Sequence, residues 1–153
     1  MTDIVLKEET PVINQEHRAK MMALENAIKR DLPLVELECE HIFAHGTYTR
    51  VLHIPKGTVL TGHIHRHSCI NIVSKGKIVV ATDDGDKELT APAHFVSSPG
   101  VKKAGYALED TIWINVLPNF DEERDIELIE ERALYVQGYE QLEHEQQLKL
   151  EEQ

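Results

Sequence analysis

No run of eighteen apolar residues occurs in this chain, the least that a membrane-spanning helix requires. Its first ten residues, MTDIVLKEET, are polar and acidic and lack the apolar centre of a secretory leader. Neither insertion into a membrane nor export is expected, and the expected setting is the cytoplasm. Cysteine is scarce: Cys39 and Cys69 cannot build a disulfide framework, which agrees with a reducing compartment. An excess of basic residues is lacking too. Sixteen Lys and Arg stand against 27 Asp and Glu, a net charge of −11. Nucleic-acid recognition requires a basic face, so that class of partner is not expected.

What the chain does have is enough apolar material for one core. Its 153 residues are 41% apolar and suggest one compact domain, which at this length buries roughly two-thirds of the surface of the unfolded chain. The negative charge is uneven. From Pro118 onward there are 12 acidic and 3 basic residues, against 15 and 13 in residues 1–117. The acidic end reads either as the solvated face of a helix or as a docking arm for a basic partner.

Three segments follow from the patterning. Residues 1–33 form an N-terminal arm and helix. Met21, Leu24 and Ile28 repeat at helical spacing over 15–31, with Asn14 as N-cap and Pro33 as the stop. Residues 34–117 alternate short β-rich runs with turn signals. Strands are predicted near 34–43, 47–54, 58–61, 68–74, 77–82, 87–90, 94–97 and 111–117, with a hairpin at Asp84-Gly85. Many short strands at this spacing predict a sandwich, jelly roll or barrel. Residues 118–153 return to helix. One is predicted over 121–136 with Ile126, Ile129 and Ala133 as its stripe; another follows Gly138, with Leu142 and Leu148 as its contacts. His144-Glu145 begins like a zincin H-E-x-x-H, but Leu148 stands where the second histidine belongs.

The chemistry concentrates in GTVLTGHIHRHSCINIVSKG, residues 57–76. His63, His65, His67 and Cys69 share a strand parity and so one face. His63 and His65 at i, i+2 suit a shared metal. His63 and His67 are roughly 13 Å apart on a straight strand, too far for one ion to take all three histidines without a bend. Cys69 reads as a ligand or as a small buried hydrophobe, and His67 as a ligand or a solvent-facing residue. Asn71 shares the inward parity. His45 and His53 read as strand histidines, and His17 and His144 fall on the helices.

The spacing resembles the first motif of the cupin superfamily, G-x5-H-x-H-x3-E-x6-G. Gly57, His63, His65 and Gly76 match, and Cys69 stands in place of the glutamate. The second motif is similar in outline at Pro99-Gly100, with its histidine position falling on Lys102 or Lys103. The wider pattern is similar to small single-domain cupins encoded in phage genomes, and it covers about residues 41–117. The resemblance implies a mainly β fold, a double-stranded β-helix or jelly-roll barrel, here with an N-terminal helix and a C-terminal helical tail. It also implies a divalent transition metal held by His63 and His65, with Cys69 or His67 completing the set. A thiolate favours zinc over iron. Asn71, Lys103 and Tyr106 are candidate substrate contacts, Lys103 as a cation for an anionic ligand; Tyr106 and Trp113 read equally as core.

Two functions follow as expectations. One is a metal-binding cupin holding a small molecule, the metal acting as Lewis acid if there is turnover; no nucleophilic triad or phosphate loop is present to name a reaction. The other is a non-catalytic structural or interaction protein using its helical ends, particle-associated or host-interacting if phage-encoded, in the host cytoplasm or the virion. Either is expected as a homodimer, because jelly rolls leave edge strands to cover, with the N-terminal segment as a candidate cover; a small molecule or a protein is the remaining partner.

Overall fold

The computed structural model describes residues 9–152. The first eight residues of the expected arm lie outside that range. The N-terminal helix forms as the periodicity predicts: α1 spans Gln15–Asp31, and the Asn14 side chain accepts from the His17 amide. Met21 is fully buried, with Leu24 packed beside it.

The strands in chain order are β1 (Cys39–Ala44), β2 (Thr47–Ile54), β3 (Val59–Thr61), β4 (Ile64–His65), β5 (Cys69–Lys75), β6 (Lys77–Thr82), β7 (Gly85–Thr90), β8 (Ala93–Ser97), β9 (Ala104–Ala107) and β10 (Thr111–Pro118). They are followed by helix α2 (Ile126–Ala133), a short strand β11 (Leu134–Tyr135) and helix α3 (Tyr139–Glu151). One antiparallel sheet runs β1-β2-β10-β5-β8, a second runs β3-β9-β6-β7, and β4 pairs with β11. The molecule is mainly β, with the jelly-roll architecture the strand pattern predicts and helices at both ends.

Three expectations shift. Residues 34–38 are extended but join no sheet, leaving Leu34 and Val35 exposed; only Glu38 bonds onward, to His53 N. The predicted 121–136 helix starts at Ile126, because Asn119 holds a turn through its bonds to Glu123 and Asp125 takes the N-cap. It ends at Ala133, where Leu134 and Tyr135 pair with β4 instead. In α3, Leu142 is buried as predicted while Leu148 is exposed. β4, β9 and β11 carry too few residues to show a period.

The interior has layers set by register. Leu52, Trp113 and Val73 lie side by side across β2, β10 and β5, and with Ile78, Val80, Phe95 and Ala107 they form an apolar core at one end. Tyr48, Leu117 and Cys69 meet Ile129 of α2, which caps the other end. Between them lies a polar layer, Arg50 opposite Asn115 and Asn115 opposite Asn71. The helical ends pack on the barrel: Met21, Ile64, Ala104, Tyr135, Tyr139 and Leu142 make one cluster. Arg66 fastens it, donating to the Leu134 carbonyl and Glu145 with its guanidinium 4.3 Å from the Tyr135 ring centre.

Gly76, the last glycine of the first motif, turns between β5 and β6 at φ +88°. A Cβ there would stand 2.2 Å from the Asp110 carbonyl oxygen, so both conformation and space require glycine.

Candidate functional site

Each motif residue is placed by a strand end. β4 is two residues long, so His65 turns inward while Ile64 faces α1 and α3. His65 is 8% exposed and forms part of the wall of a cleft of about 1110 Å³, lined also by Ser68, Leu117, Phe120, Ile129 and Arg132. His63 is more open and lines a smaller cleft of about 210 Å³ on the other side of β4, with Glu25, Thr61, Lys102 and Tyr135. The two motif histidines thus open onto different cavities. His67 is exposed at the rim, 4.0 Å from the Glu9 carboxylate, and stands away from the interior.

Cys69 is buried. Its Sγ faces the Ile70 and Val116 carbonyl oxygens at 3.4 and 3.8 Å and receives the Asn115 amide at 3.7 Å. Burial raises the thiol pKa, although Lys103 and Asn115 pull it down. Asn71 points inward as its parity predicts and is fully buried. Its amide donates to the Cys69 carbonyl and Ser97 Oγ and accepts from Asn115 Nδ2 at 2.7 Å, so it is committed to the wall. Tyr106 corrects an expectation: it is 44% exposed, on the parity opposite to Lys103, Gly105 and Ala107, and lies on the outer face of β9. Trp113 is core, edge-on to Phe95.

The second-motif position resolves into two different lysines. Lys102 points outward and pairs with Glu25 of α1 at 2.9 Å. Lys103 points inward. Its carbonyl accepts from the Gly62 amide at 2.9 Å, which sets it beside the His63–His65 segment. Its Nζ is buried without a hydrogen-bond partner among the described residues, and the other such side-chain atom is His65 Nδ1. Burial lowers the Lys103 pKa, while Cys69 and Asp83 act the other way. Burial pushes His65 down to about 3, with Lys103, Arg50 and His63 adding to the effect. His63 is lowered as well, first by burial and then by Arg50. His65 is therefore neutral at ordinary pH, and burial favours the neutral form of His63 as well.

Arg50 and Tyr48 went unnoticed in the sequence. Arg50 sits inward on β2, and among the described residues its guanidinium meets only Cys39 Sγ, at 4.0 Å. The available signal was parity: Arg50 shares a face with Tyr48, Leu52 and Ile54, but Val51 on the opposite face obscured the alternation.

Among solved structures the chain is similar to KdgF from Halomonas sp. (22% identity, covering 76% of this chain and 98% of that one, TM-score 0.50). It is also similar to the plu4264 protein from Photorhabdus luminescens (12% identity, 64% and 88% covered, TM-score 0.50) and to an RmlC-like cupin from Shewanella frigidimarina (26% identity, 59% and 79% covered, TM-score 0.48). No family model matches the sequence, and no curated protein does. The fold is the cupin-type jelly roll. The likeness to phage-encoded proteins finds no support in these comparisons.

A cupin barrel raises the question of a metal, and the residues here do not fit one well. Among the described residues, no group of three or more His, Cys, Asp or Glu gathers closely enough to hold an ion. A lysine, Lys103, projects inward from the second-motif position where a metal-binding cupin has a histidine, and Cys69 is turned to backbone carbonyls. What the interior offers is two basic side chains, the neutral His65 imidazole and an apolar cap.

Proposed function

We propose that this protein is a small-molecule-binding cupin whose barrel takes an anionic ligand on Lys103, with Arg50 and His65 beside it, in place of a resident metal. One observation carries this reading: Lys103 Nζ is sealed from solvent with no partner. An orphaned buried ammonium is costly, and buried charges are ordinarily paired. A ligand carboxylate or phosphate supplies the missing partner. The zinc expected from the sequence is the competing reading, and one experiment separates them. Metal content is measured by mass spectrometry on untagged protein, and thermal stability is followed across a panel of small carboxylates and phosphates. A ligand present only on the folded state raises the midpoint, by about 2.7 kcal/mol at a hundred times its dissociation constant. The expected result is little metal and stabilisation by an anion that disappears in Lys103→Met. Near-stoichiometric zinc or iron that is lost in His65→Ala would overturn it.

The homodimer belongs to the same proposal. The outer face of the five-stranded sheet presents Ile70 beside Val96 in register, with Ile42 at 50% exposure and Ile72 and Ile114 between. Its one acidic corner, Glu40, is already paired with His53. Interface centres are depleted of charge, and this face brings together two copies of a chain of net charge −11 with least repulsion. Light scattering on the Ile70→Glu, Val96→Glu variant is expected to give half the wild-type mass; an unchanged mass would exclude this face.

A further inference from the structure

We infer that the Lys103 amine forms an imine with the carbonyl carbon of a small oxo acid whose carboxylate rests on Arg50. The inference builds on the anion-binding reading and names its ligand class. Three features of the site converge on it. First, the Nζ is buried and has no hydrogen-bond partner among the described residues; the Asp83 carboxylate and Cys69 act on it without bonding to it. A desolvated lysine is the form that attacks carbonyls, and the lowered pKa agrees with the geometry. Second, the polar layer holds a second base of fixed charge. Arg50 lies inward on the strand opposite Asn115, without a carboxylate of its own. Its planar fork suits a carboxylate held by two parallel hydrogen bonds. Lys103 and Arg50 are both near enough to His65 to oppose its protonation. Third, Tyr48, Leu117 and Ile129 pack together across one end of the barrel, an apolar end next to the polar layer.

The chemistry balances without an oxidant or a metal. The Nζ lone pair attacks the carbonyl carbon, a C–N bond forms, and the carbonyl oxygen takes a proton that leaves nitrogen. The resulting carbinolamine loses that oxygen as water when the C–O bond breaks, leaving C=N. One amine and one carbonyl give one imine and one water. His65 is held neutral and adds no competing cation. Its unpartnered Nδ1 is the wall group available to hydrogen-bond the carbinolamine hydroxyl.

The test is reductive trapping. The full-length protein is incubated with glyoxylate or pyruvate and cyanoborohydride, then mapped by peptide mass spectrometry. Label at Lys103 is expected to exceed that at exposed Lys56 and Lys87 by about tenfold, a difference of about 1.4 kcal/mol. It should vanish in Lys103→Arg, which retains the cation, and fall in Arg50→Met. Circular dichroism on each variant confirms folding. Label spread evenly over surface lysines, or no label at Lys103 in wild-type protein that the same acids stabilise thermally, would overturn the imine while leaving anion binding in place. Absence of both label and thermal stabilisation would sink both readings.

Discussion

Lys102 and Lys103 leave the chain in succession on the approach to β9, one outward and one inward, and the two sides of the barrel wall treat the same side chain in opposite ways. Outside, Lys102 is 7% exposed but meets Glu25 at 2.9 Å, and Glu25 is further bonded by Thr61 Oγ1 at 3.1 Å. The His17 ring binds the Lys102 carbonyl at 2.6 Å, so this residue ties α1 to the approach to β9 by both its side chain and its backbone. Inside, Lys103 has no such partner. A protein that only needed to fold would gain from the first arrangement and lose from the second. The difference marks where a buried donor is left unpaired at a cost in stability.

The comparison breaks most visibly on the outer side. Glu25→Gln leaves the Lys102 ammonium close-packed and uncompensated, and removing one partner of a buried pair costs on the order of 3 kcal/mol. Urea unfolding is expected to show that loss. A change within a few tenths would mean that the pair is a surface contact of little weight.

The inner lysine should behave in the reverse sense. Lys103→Met retains much of the volume and removes the buried donor, whose unsatisfied state costs roughly 1–3 kcal/mol. The variant is expected to be more stable than the parent in the absence of ligand, and to have lost the anion response. If it is less stable, Lys103 has a partner after all and its role is structural.

The pH dependence sharpens the contrast, because the two sites carry opposite signs. Burial tends to raise the Glu25 carboxyl, but the Lys102 hydrogen bond and charge outweigh it and hold the pKa below the ordinary 4.5. Its contribution is therefore complete above about 4.5 and is lost as pH falls through the folded value. For Lys103 the folded pKa lies below the ordinary 10.5, mainly through burial. Between those two values the unfolded chain binds the extra proton, so stability rises with pH across that window. Thermal midpoints from about pH 3 to about pH 10 (from roughly one unit below the ordinary carboxyl value to just below the ordinary amine value) should fall on the acid side in wild type and less so in Glu25→Gln. The alkaline rise should be missing in Lys103→Met.

Much of this arrangement could be read from the sequence, and what could not has a physical cause. Eight of the ten strands from 39 to 118 were legible because Gly and Pro mark the turns, while β4 and β9 were too short to show a period; the match at Gly57, His63, His65 and Gly76 pointed to the fold. The inward parity of Asn71 and Cys69 was legible from the period of two. Residues 34–38 were misread because an apolar run looks the same with or without a neighbouring strand. Tyr106 was misplaced because β9 is four residues long and its parity is set by pairing with β3 and β6. The ambiguity between Lys102 and Lys103 could not be settled from spacing at all. One residue of register decides which lysine enters the barrel, and only the Gly62–Lys103 and Thr61–Ala104 pairing fixes it.

The two cysteines give the smallest and cleanest reading of the same inside–outside difference. Cys39 lies at the start of an edge strand, partly open. Cys69 is 3% exposed, and burial holds its thiol in the protonated form, which is the poor nucleophile. In folded protein an alkylating reagent is expected to modify Cys39 and to reach Cys69 only as fast as the barrel opens. An anion that seats on Lys103 should slow the Cys69 reaction further by stabilising the closed barrel. If Cys69 reacts at the rate of Cys39, the α2 cap over Tyr48, Leu117 and Cys69 is open in solution. The cap would then be the entrance to the barrel rather than its floor.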